Sequence, residues 1–207
     1  MRPLPRLHAV TDGAVLAAED FGIRAAAIAA AGPAVALHAR DHAASGAALV
    51  RVTERIMALA RPPEAAVFVN GRPDIAAALH ASGVQLAPGD LTPADARRIY
   101  LNGWIGRSVH DAAEAGDAVR EGADFLLVGG VYPTATHPAR PAAGLGLVRS
   151  AAALGRPVIA IGGIDAARAR EVRAAGAYGV AAITALWRAD DPAAAALALL
   201  SPWMEDA

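Results

Sequence analysis

The chain contains no cysteine among its 207 residues. That absence excludes disulfides, thiolate nucleophiles and zinc sites built on cysteine. Lysine is absent as well, because all 19 basic residues are arginine. Catalysis through a lysine Schiff base or a lysine general acid is therefore excluded, and with it the usual chemistry of lysine-dependent aldolases and decarboxylases.

Aromatic residues make up 4% of the chain, and the net charge is −1 with an isoelectric point near 6.6. Neither value fits a nucleic-acid partner, which needs a basic surface and stacking platforms. No apolar run approaches the roughly 20 residues of a membrane span, and the opening MRPLPRLHAVTDG lacks an apolar signal core. With 55% hydrophobic residues, we expect residues 1–207 to form a single cytoplasmic domain that binds a small neutral or anionic ligand. A homodimer is a reasonable expectation for a small enzyme of this kind.

Eight short apolar runs have the length and composition of strands, and alanine-rich segments that favour helix separate them. Thr92 before Pro93, Asp165 before AARARE, and Gly176 are typical helix boundaries. This alternation predicts a closed (β/α)8 TIM barrel, with an open doubly wound sheet as the alternative. The predicted strands are Leu7–Val10, Val35–His38, Val67–Asn70, Val84–Leu86, Trp104–Ser108, Phe125–Val128, Val158–Ile161 and Gly179–Ala182. The predicted helices are Val15–Ala31, Gly46–Ala60, Pro73–Ser82, Pro93–Leu101, Ala112–Glu121, Leu145–Leu154, Ala166–Ala175 and Pro192–Leu200.

The segment PVIAIGGI, which begins at Pro157, is a β-branched run that ends in Gly162 and Gly163. Glycines just before a helix let backbone N–H groups approach an anion, and barrels of this type commonly hold a phosphate near their last strands. A strand followed by a tight turn, with no ligand, is the alternative interpretation.

Polar residues follow nearly every predicted strand, where barrel enzymes carry their chemistry. Each has an ordinary structural alternative, since Asp12 or Asp90 can cap the next helix and a histidine can simply pack. Their recurrence favours a site. These residues include Thr11, Asp12, His38, Arg40, Asn70, Arg72, Gln85, Asp90, Ser108, His110 and Thr184.

Seven segments, LHAVTDG, HARDH, VNGRPDIA, GVQLAPGDL, IGRSVHDAAEA, GADFLLVGGVYPTATHP and PVIAIGGI, occur in this order along the chain. The series resembles, nearly end to end, the family that contains thiamine phosphate synthase and its relative thiazole tautomerase. VNGRPDIA, the glutamine of GVQL and IGRSVH look closer to the tautomerase branch, whereas YPTATHP looks closer to the synthase.

The resemblance implies a (β/α)8 barrel that binds a thiazole phosphate at its mouth. The synthase joins a pyrimidine diphosphate to that thiazole with Mg²⁺. Six residues match the motifs of the synthase and are expected to bind substrate: Arg40, Asn70, Asp90, Ser108, Thr134 and Thr136. Arg72, which lies beside them in the sequence, is expected to bind substrate as well. Backbone donors around Gly144, Gly162, Gly163, Ile183 and Thr184 are expected to hold the phosphate.

The sequence differs from the synthase motifs at three positions where the synthase would use a charged side chain. Gly71 stands where an aspartate is expected, and His42 and His137 stand where lysines are expected. Asp90 alone would then hold Mg²⁺ if the protein is a synthase, and a neutral imidazole is a poor partner for a departing diphosphate. These departures favour a thiazole tautomerase, which needs no metal or other cofactor.

The tautomerase moves a proton within a carboxythiazole phosphate and needs an acid–base group above the ring. The position where one form of that branch carries its histidine is Gly130 here. His110, His38 and His137 are the candidates to replace it, because imidazole titrates near neutral pH. The synthase, and a non-catalytic protein that binds thiazole phosphate, remain the alternatives.

Overall fold

The computed structural model describes residues 2–62, 64–133 and 142–204, whose eight parallel strands close into a barrel. Each strand pairs with its neighbours in chain order, and the last strand pairs with the first. This closure confirms the predicted TIM barrel and excludes the open sheet. The strands are β1 (Leu7–Val10), β2 (Val35–Ala39), β3 (Ala66–Asn70), β4 (Gly83–Leu86), β5 (Trp104–Val109), β6 (Phe125–Val128), β7 (Val158–Ile161) and β8 (Gly179–Ala182).

Helices surround the barrel, and none in the described ranges is long and apolar enough to cross a bilayer. Single turns of 3₁₀ helix occur at Gly32–Ala34 and Ser201–Trp203. The α-helices are α1 (Gly13–Ala17), α2 (Phe21–Ala29), α3 (Gly46–Ala60), α4 (Pro73–Ala78), α5 (Pro93–Ile99), α6 (Ala112–Arg120), α7 (Gly144–Ala152), α8 (Ala166–Ala174), α9 (Thr184–Trp187) and α10 (Pro192–Leu200).

Successive side chains of each strand point alternately inward and outward, which gives the protein two apolar layers, one inside the barrel and one between the barrel and the helices. Outward residues such as Leu37 and Ile105 pack against the helices, whereas inward residues such as Ala36, Phe68 and Phe125 fill the barrel. Each fully buried large side chain contributes about 1.5–3 kcal/mol through burial of apolar surface. The inward positions also bring polar side chains to the barrel axis, and those nearest the carboxyl ends of the strands line the site.

Two glycines make room for the interior phenylalanines. A Cβ atom at Gly83 would lie 2.2 Å from Phe68 Cε1, and one at Gly106 would lie 2.2 Å from Phe125 Cζ. No real Cβ approaches a ring so closely, so both positions require glycine for the aromatic rings to occupy the barrel centre. The rings of Phe68 and Phe125 meet edge to face at 5.9 Å between centroids.

Side chains cap several helices as the sequence predicts. Thr92 Oγ1 accepts from Asp95 N–H at 3.1 Å, and Asp165 Oδ1 accepts from Arg168 N–H at 2.9 Å. Each such cap stabilises its helix by about 1 kcal/mol. Gly176 follows α8 with a φ of 97°, the left-handed geometry expected of a glycine after a helix.

Some predicted helix bounds are wrong. The segment predicted as one helix over Val15–Ala31 forms two, because Ala18 leaves the helical region with a ψ of 136°. The helix that begins at Pro73 ends at Ala78 rather than Ser82, and His80 turns the chain with a φ of 52° into β4. The short α9 after β8 was not predicted.

Candidate functional site

A cavity of about 1010 Å³ opens at the carboxyl ends of the strands. This volume lies at the upper end of the usual range for small-molecule sites, so two small substrates can be accommodated together. The lining combines polar groups from the loops with apolar side chains that include Val10, Leu127 and Ile161. Most of the residues predicted to bind substrate line it: Arg40, Asn70, Arg72, Asp90, Ser108, Gly162, Gly163, Ile183 and Thr184.

Inward positions on β1 to β5 carry an arc of polar side chains, which we call the polar arc: His8, His38, Asn70, Gln85 and Ser108. Gln85 Nε2 donates to Ser108 Oγ at 2.9 Å, which holds the hydroxyl at the cavity floor. The buried Gln85 Oε1 has no hydrogen-bond partner among the described residues. The inward positions on β6 to β8 are apolar, so the floor is polar on one side only.

His38 lies in the barrel interior, is fully buried and is not among the residues that line the cavity. The alternation of β2 points it inward, and Asn70 Oδ1 lies 2.9 Å from its Nδ1. Burial lowers the pKa of His38 to about 4, although the contact with Asn70 opposes that shift. The structure thus places the candidate acid–base residue His38 outside the cavity lining, and its acid–base role stays a prediction.

Two arginines supply positive charge to the cavity. Arg40 Nη1 donates to Thr11 O at 3.3 Å and Arg40 Nη2 contacts His42 Nε2 at 2.5 Å, so this guanidinium is fixed beside β2. Burial lowers the pKa of Arg40, but a guanidinium remains cationic at neutral pH. Arg72 is more exposed and forms two hydrogen bonds with Asp74. Arg40 is therefore the better placed anion ligand.

Asp90 is the carboxylate best placed for a metal ion. Its Oδ2 accepts from Ala87 N–H at 2.7 Å, and a Cβ atom at Gly71 would lie 3.2 Å from its Oδ1. Within the described ranges, no group of three or more His, Asp or Glu side chains could hold a metal. Mg²⁺ commonly uses one or two carboxylates together with substrate phosphates. The donor set therefore fits Mg²⁺ when a bound diphosphate supplies most of the ligands.

His110 lines the cavity just beyond β5. Glu114 fixes it twice, because its Oε2 accepts from His110 N–H at 2.7 Å and lies 3.2 Å from His110 Nδ1. Glycine at position 129 makes room for the ring, since a Cβ there would lie 2.9 Å from His110 Cδ2. An imidazole held by a carboxylate at a cavity edge has the geometry of an acid–base group.

The glycines predicted to hold phosphate separate into two groups. Gly162 and Gly163 line the cavity with φ values of 112° and 63°, and their crowded surroundings leave no space for side chains. Gly144 does not line the cavity, and its N–H donates to Val131 O at 3.1 Å. That donor is thus already used where α7 begins, and the expected role of Gly144 in the phosphate site stays a prediction.

Three predicted site residues, Thr134, Thr136 and His137, lie outside the described residues.

Tyr132 lines the cavity and was not predicted as a site residue. Its hydroxyl donates to Glu171 Oε2 at 2.7 Å, and the Arg168 guanidinium lies 4.6 Å from its ring centroid. Desolvation, followed by the contact with the Glu171 carboxylate, raises the pKa of Tyr132 to about 12. Arg168 also donates to Gly163 O, so its guanidinium connects Tyr132, which follows β6, to the glycines that follow β7. The one signal for Tyr132 in the sequence was its position in the VGGVYP segment.

Residues 7–186 match the family model described as "Thiamine monophosphate synthase". A thiamine-phosphate synthase from Thermus thermophilus is 49% identical over 148 residues, which cover 70% of this chain and 71% of the relative. Another from Chloroflexus aurantiacus is 36% identical over 197 residues, which cover 92% of this chain and 89% of the relative. The structure of a thiamine phosphate pyrophosphorylase from Pyrococcus furiosus superposes with a TM-score of 0.81 at 34% identity, covering 97% of this chain and 96% of that one.

Proposed function

Because this chain belongs to the thiamine monophosphate synthase family, we propose that it joins a pyrimidine diphosphate to a thiazole phosphate to form thiamine phosphate. The observation that carries this proposal is the 49% identity to a protein named thiamine-phosphate synthase. The residues at positions 42, 71 and 137 favoured a tautomerase, but the named relatives support the synthase instead.

The cavity is suited to a reaction between two substrates. In the proposed reaction a bond forms between the thiazole nitrogen and the pyrimidine methylene carbon, while the bond from that carbon to the diphosphate oxygen breaks. The diphosphate leaves with the bonding electron pair. An enzyme accelerates such a step by holding the partners in line and stabilising the departing charge.

Arg40 would bind the diphosphate, because it is fixed by Thr11 and faces the cavity from the polar side. A charge-assisted hydrogen bond from a fixed guanidinium stabilises a leaving phosphate more than a neutral imidazole can. On the opposite side, Gly162 and Gly163 would receive the thiazole phosphate, which places the two phosphate groups at separate ends of the cavity.

Asp90 would hold Mg²⁺ against the diphosphate. When bound there, Mg²⁺ neutralises charge on the leaving group. Gly71 contributes no side chain, so we expect this protein to require a high Mg²⁺ concentration.

The test is to incubate the purified protein with both substrates, with Mg²⁺ or with a chelator, and to measure thiamine phosphate. We expect repeated turnover that requires Mg²⁺ and falls roughly 100-fold in Asp90→Asn, an effect of the size seen for a lost electrostatic group. Asp117→Asn is the matched control, because Asp117 lies on α6, pairs with Arg120 and does not line the cavity. Absence of product under all conditions would contradict the proposal.

A thiazole tautomerase is the second candidate, and the His110–Glu114 pair at the cavity edge favours it. Metal-free isomerisation of the carboxythiazole phosphate, lost in His110→Ala, would support this activity. Binding of thiazole phosphate without either reaction would instead indicate a non-catalytic binding protein.

A further inference from the structure

Three side chains of the polar arc form a continuous chain of contacts inside the barrel. His8 Nε2 lies 3.1 Å from Pro5 O, His8 Nδ1 lies 2.8 Å from His38 Nε2, and His38 Nδ1 lies 2.9 Å from Asn70 Oδ1. Both histidines are fully buried, whereas Asn70 reaches the cavity. The chain therefore connects a backbone carbonyl below the site to a side chain in it.

The number of available hydrogens decides which atom donates and which accepts in each of these three contacts. Three contacts need three hydrogens, and two neutral imidazoles carry two in total. A carbonyl oxygen accepts only, so His8 satisfies Pro5 by donating from Nε2. His8 Nδ1 then accepts from His38 Nε2, and His38 Nδ1 is left as an acceptor that needs a donor from Asn70.

Both rings are neutral in this setting. His8 and His38 are surrounded by Phe68 and Phe125, with ring centroids 5.1–5.6 Å apart. Burial lowers the pKa of both histidines, and the neighbouring Arg40 lowers that of His38 further. No third hydrogen is therefore present, and the donor must be the Asn70 amide nitrogen. The structure has Asn70 Oδ1 nearest to His38 Nδ1, but the oxygen and nitrogen of an amide are assigned from their hydrogen-bond partners, so this requirement exchanges the two atoms.

We propose that His8 and His38 are positioning residues that orient Asn70, with its amide N–H donated to His38 and its carbonyl oxygen turned to the cavity. Asn70 then accepts a hydrogen bond from a ring or amine N–H of the bound substrate. The acceptor role rests on the proposed function, because the pyrimidine diphosphate is the substrate that would bind on this side of the cavity. The orientation itself rests only on the contacts within the barrel.

The orientation has a direct spectroscopic test in the unliganded protein. In isotope-labelled protein near neutral pH, long-range proton–nitrogen NMR reports which ring nitrogen carries hydrogen, and His38→Gln assigns the signals of the pair. We expect both histidines to carry hydrogen on Nε2 and none on Nδ1. Hydrogen on Nδ1 of both rings, or three hydrogens on the pair, would overturn the proposal.

Two substitutions at position 38 test the effect on binding. In His38→Gln, the amide nitrogen can donate to His8 and the oxygen can accept from Asn70, so the direction of the chain is preserved. His38→Leu removes both contacts. We expect the KM for the pyrimidine diphosphate to rise about 10-fold in His38→Leu with a smaller change in kcat, and His38→Gln to recover most of that loss.

Ile56→Ala is the control for a general loss of stability, because Ile56 is fully buried on α3 and does not line the cavity. Its KM is expected to match that of the parent protein. An equal rise in KM in His38→Leu and His38→Gln, or in Ile56→Ala, would contradict the positioning role. If the protein forms no thiamine phosphate, the proposed function fails, whereas the NMR result still decides the orientation of Asn70.

Discussion

Gly71 lies directly against the carboxylate of Asp90, so that a Cβ atom at Gly71 would be 3.2 Å from Oδ1 and 3.3 Å from Oδ2. The two residues come from the loops after β3 and β4, which are neighbouring strands. A carboxylate at position 71 would therefore lie beside that of Asp90. The backbone geometry would place two carboxylates side by side, and one of them is missing.

Gly71→Asp is expected to lower the Mg²⁺ concentration for half-maximal synthase activity roughly 10-fold, equivalent to about 1.4 kcal/mol of binding free energy. The φ of 72° at this position disfavours most side chains, but aspartate and asparagine tolerate it best. Mg²⁺ titration of the activity is the measurement. Gly71→Asn is the control, since it carries the same backbone strain without the charge, and an equal response of the two variants would contradict the prediction.

The free energy of unfolding is expected to fall on mild acidification because of the buried histidine pair. The pKa of His38 is lowered from 6.5 to about 4 in the folded protein, and that of His8 is lowered too. Between these values the unfolded chain binds protons that the folded chain does not. Stability is therefore lost as the pH falls below about 6.5, by up to about 1.4 kcal/mol per pH unit for each histidine.

Denaturant unfolding between pH 7.5 and pH 5 measures this slope. His38→Gln removes one of the two groups and should reduce the slope by about half, even if its stability at pH 7.5 is lower. A slope that does not change in this variant would mean that other groups cause the acid sensitivity.

Arg40→Gln is expected to raise the KM for the pyrimidine diphosphate roughly 10- to 100-fold, because a hydrogen bond to a charged group contributes about 1.5–3 kcal/mol. Steady-state kinetics with each substrate varied in turn gives the measurement. Arg61→Gln is the control, since Arg61 is exposed after α3 and pairs with Glu64. An unchanged KM in Arg40→Gln would place the diphosphate elsewhere in the cavity.

Gly83→Ala is expected to destabilise the protein by about 1–3 kcal/mol or more, because its methyl group would collide with the Phe68 ring. Gly22→Ala is expected to have the opposite effect on the stability of the protein. Gly22 lies inside α2 and has nothing within 4 Å of an added Cβ, so alanine should stabilise by about 0.5–1 kcal/mol. Thermal unfolding of both variants checks the pair, and a stable Gly83→Ala protein would show that Phe68 can move.

The strands could be predicted from the sequence because their apolar runs are short and end at polar or glycine residues. The contact between His8 and His38 could not, because it depends on the register between strands. His38 pairs in register with Val10, so His8 meets its ring only because the two side chains point inward from positions two residues apart. Inward direction can be read from alternation, but closure of the barrel decides which inward side chains touch.

Residues of the cavity lining could be predicted where they stand at or near the carboxyl end of a strand, as Asn70 and Ser108 do. Tyr132 was missed because its role depends on Glu171 and Arg168, which come from α8, about 40 residues later in the chain. The hydrogen bond from Gly144 N–H to Val131 O could not be predicted either, since a glycine's sequence neighbours do not reveal whether its N–H is already bonded.

The polar arc on β1 to β5 faces apolar side chains from β6 to β8 across the barrel. A ligand with one hydrogen-bonding edge and one hydrocarbon edge can satisfy both sides in a single orientation. Turning it over would leave Asn70 and Ser108 desolvated against carbon and would cost about 1–3 kcal/mol for each unmet polar group. The barrel floor therefore favours one of the two orientations in which a planar ligand of this kind could bind.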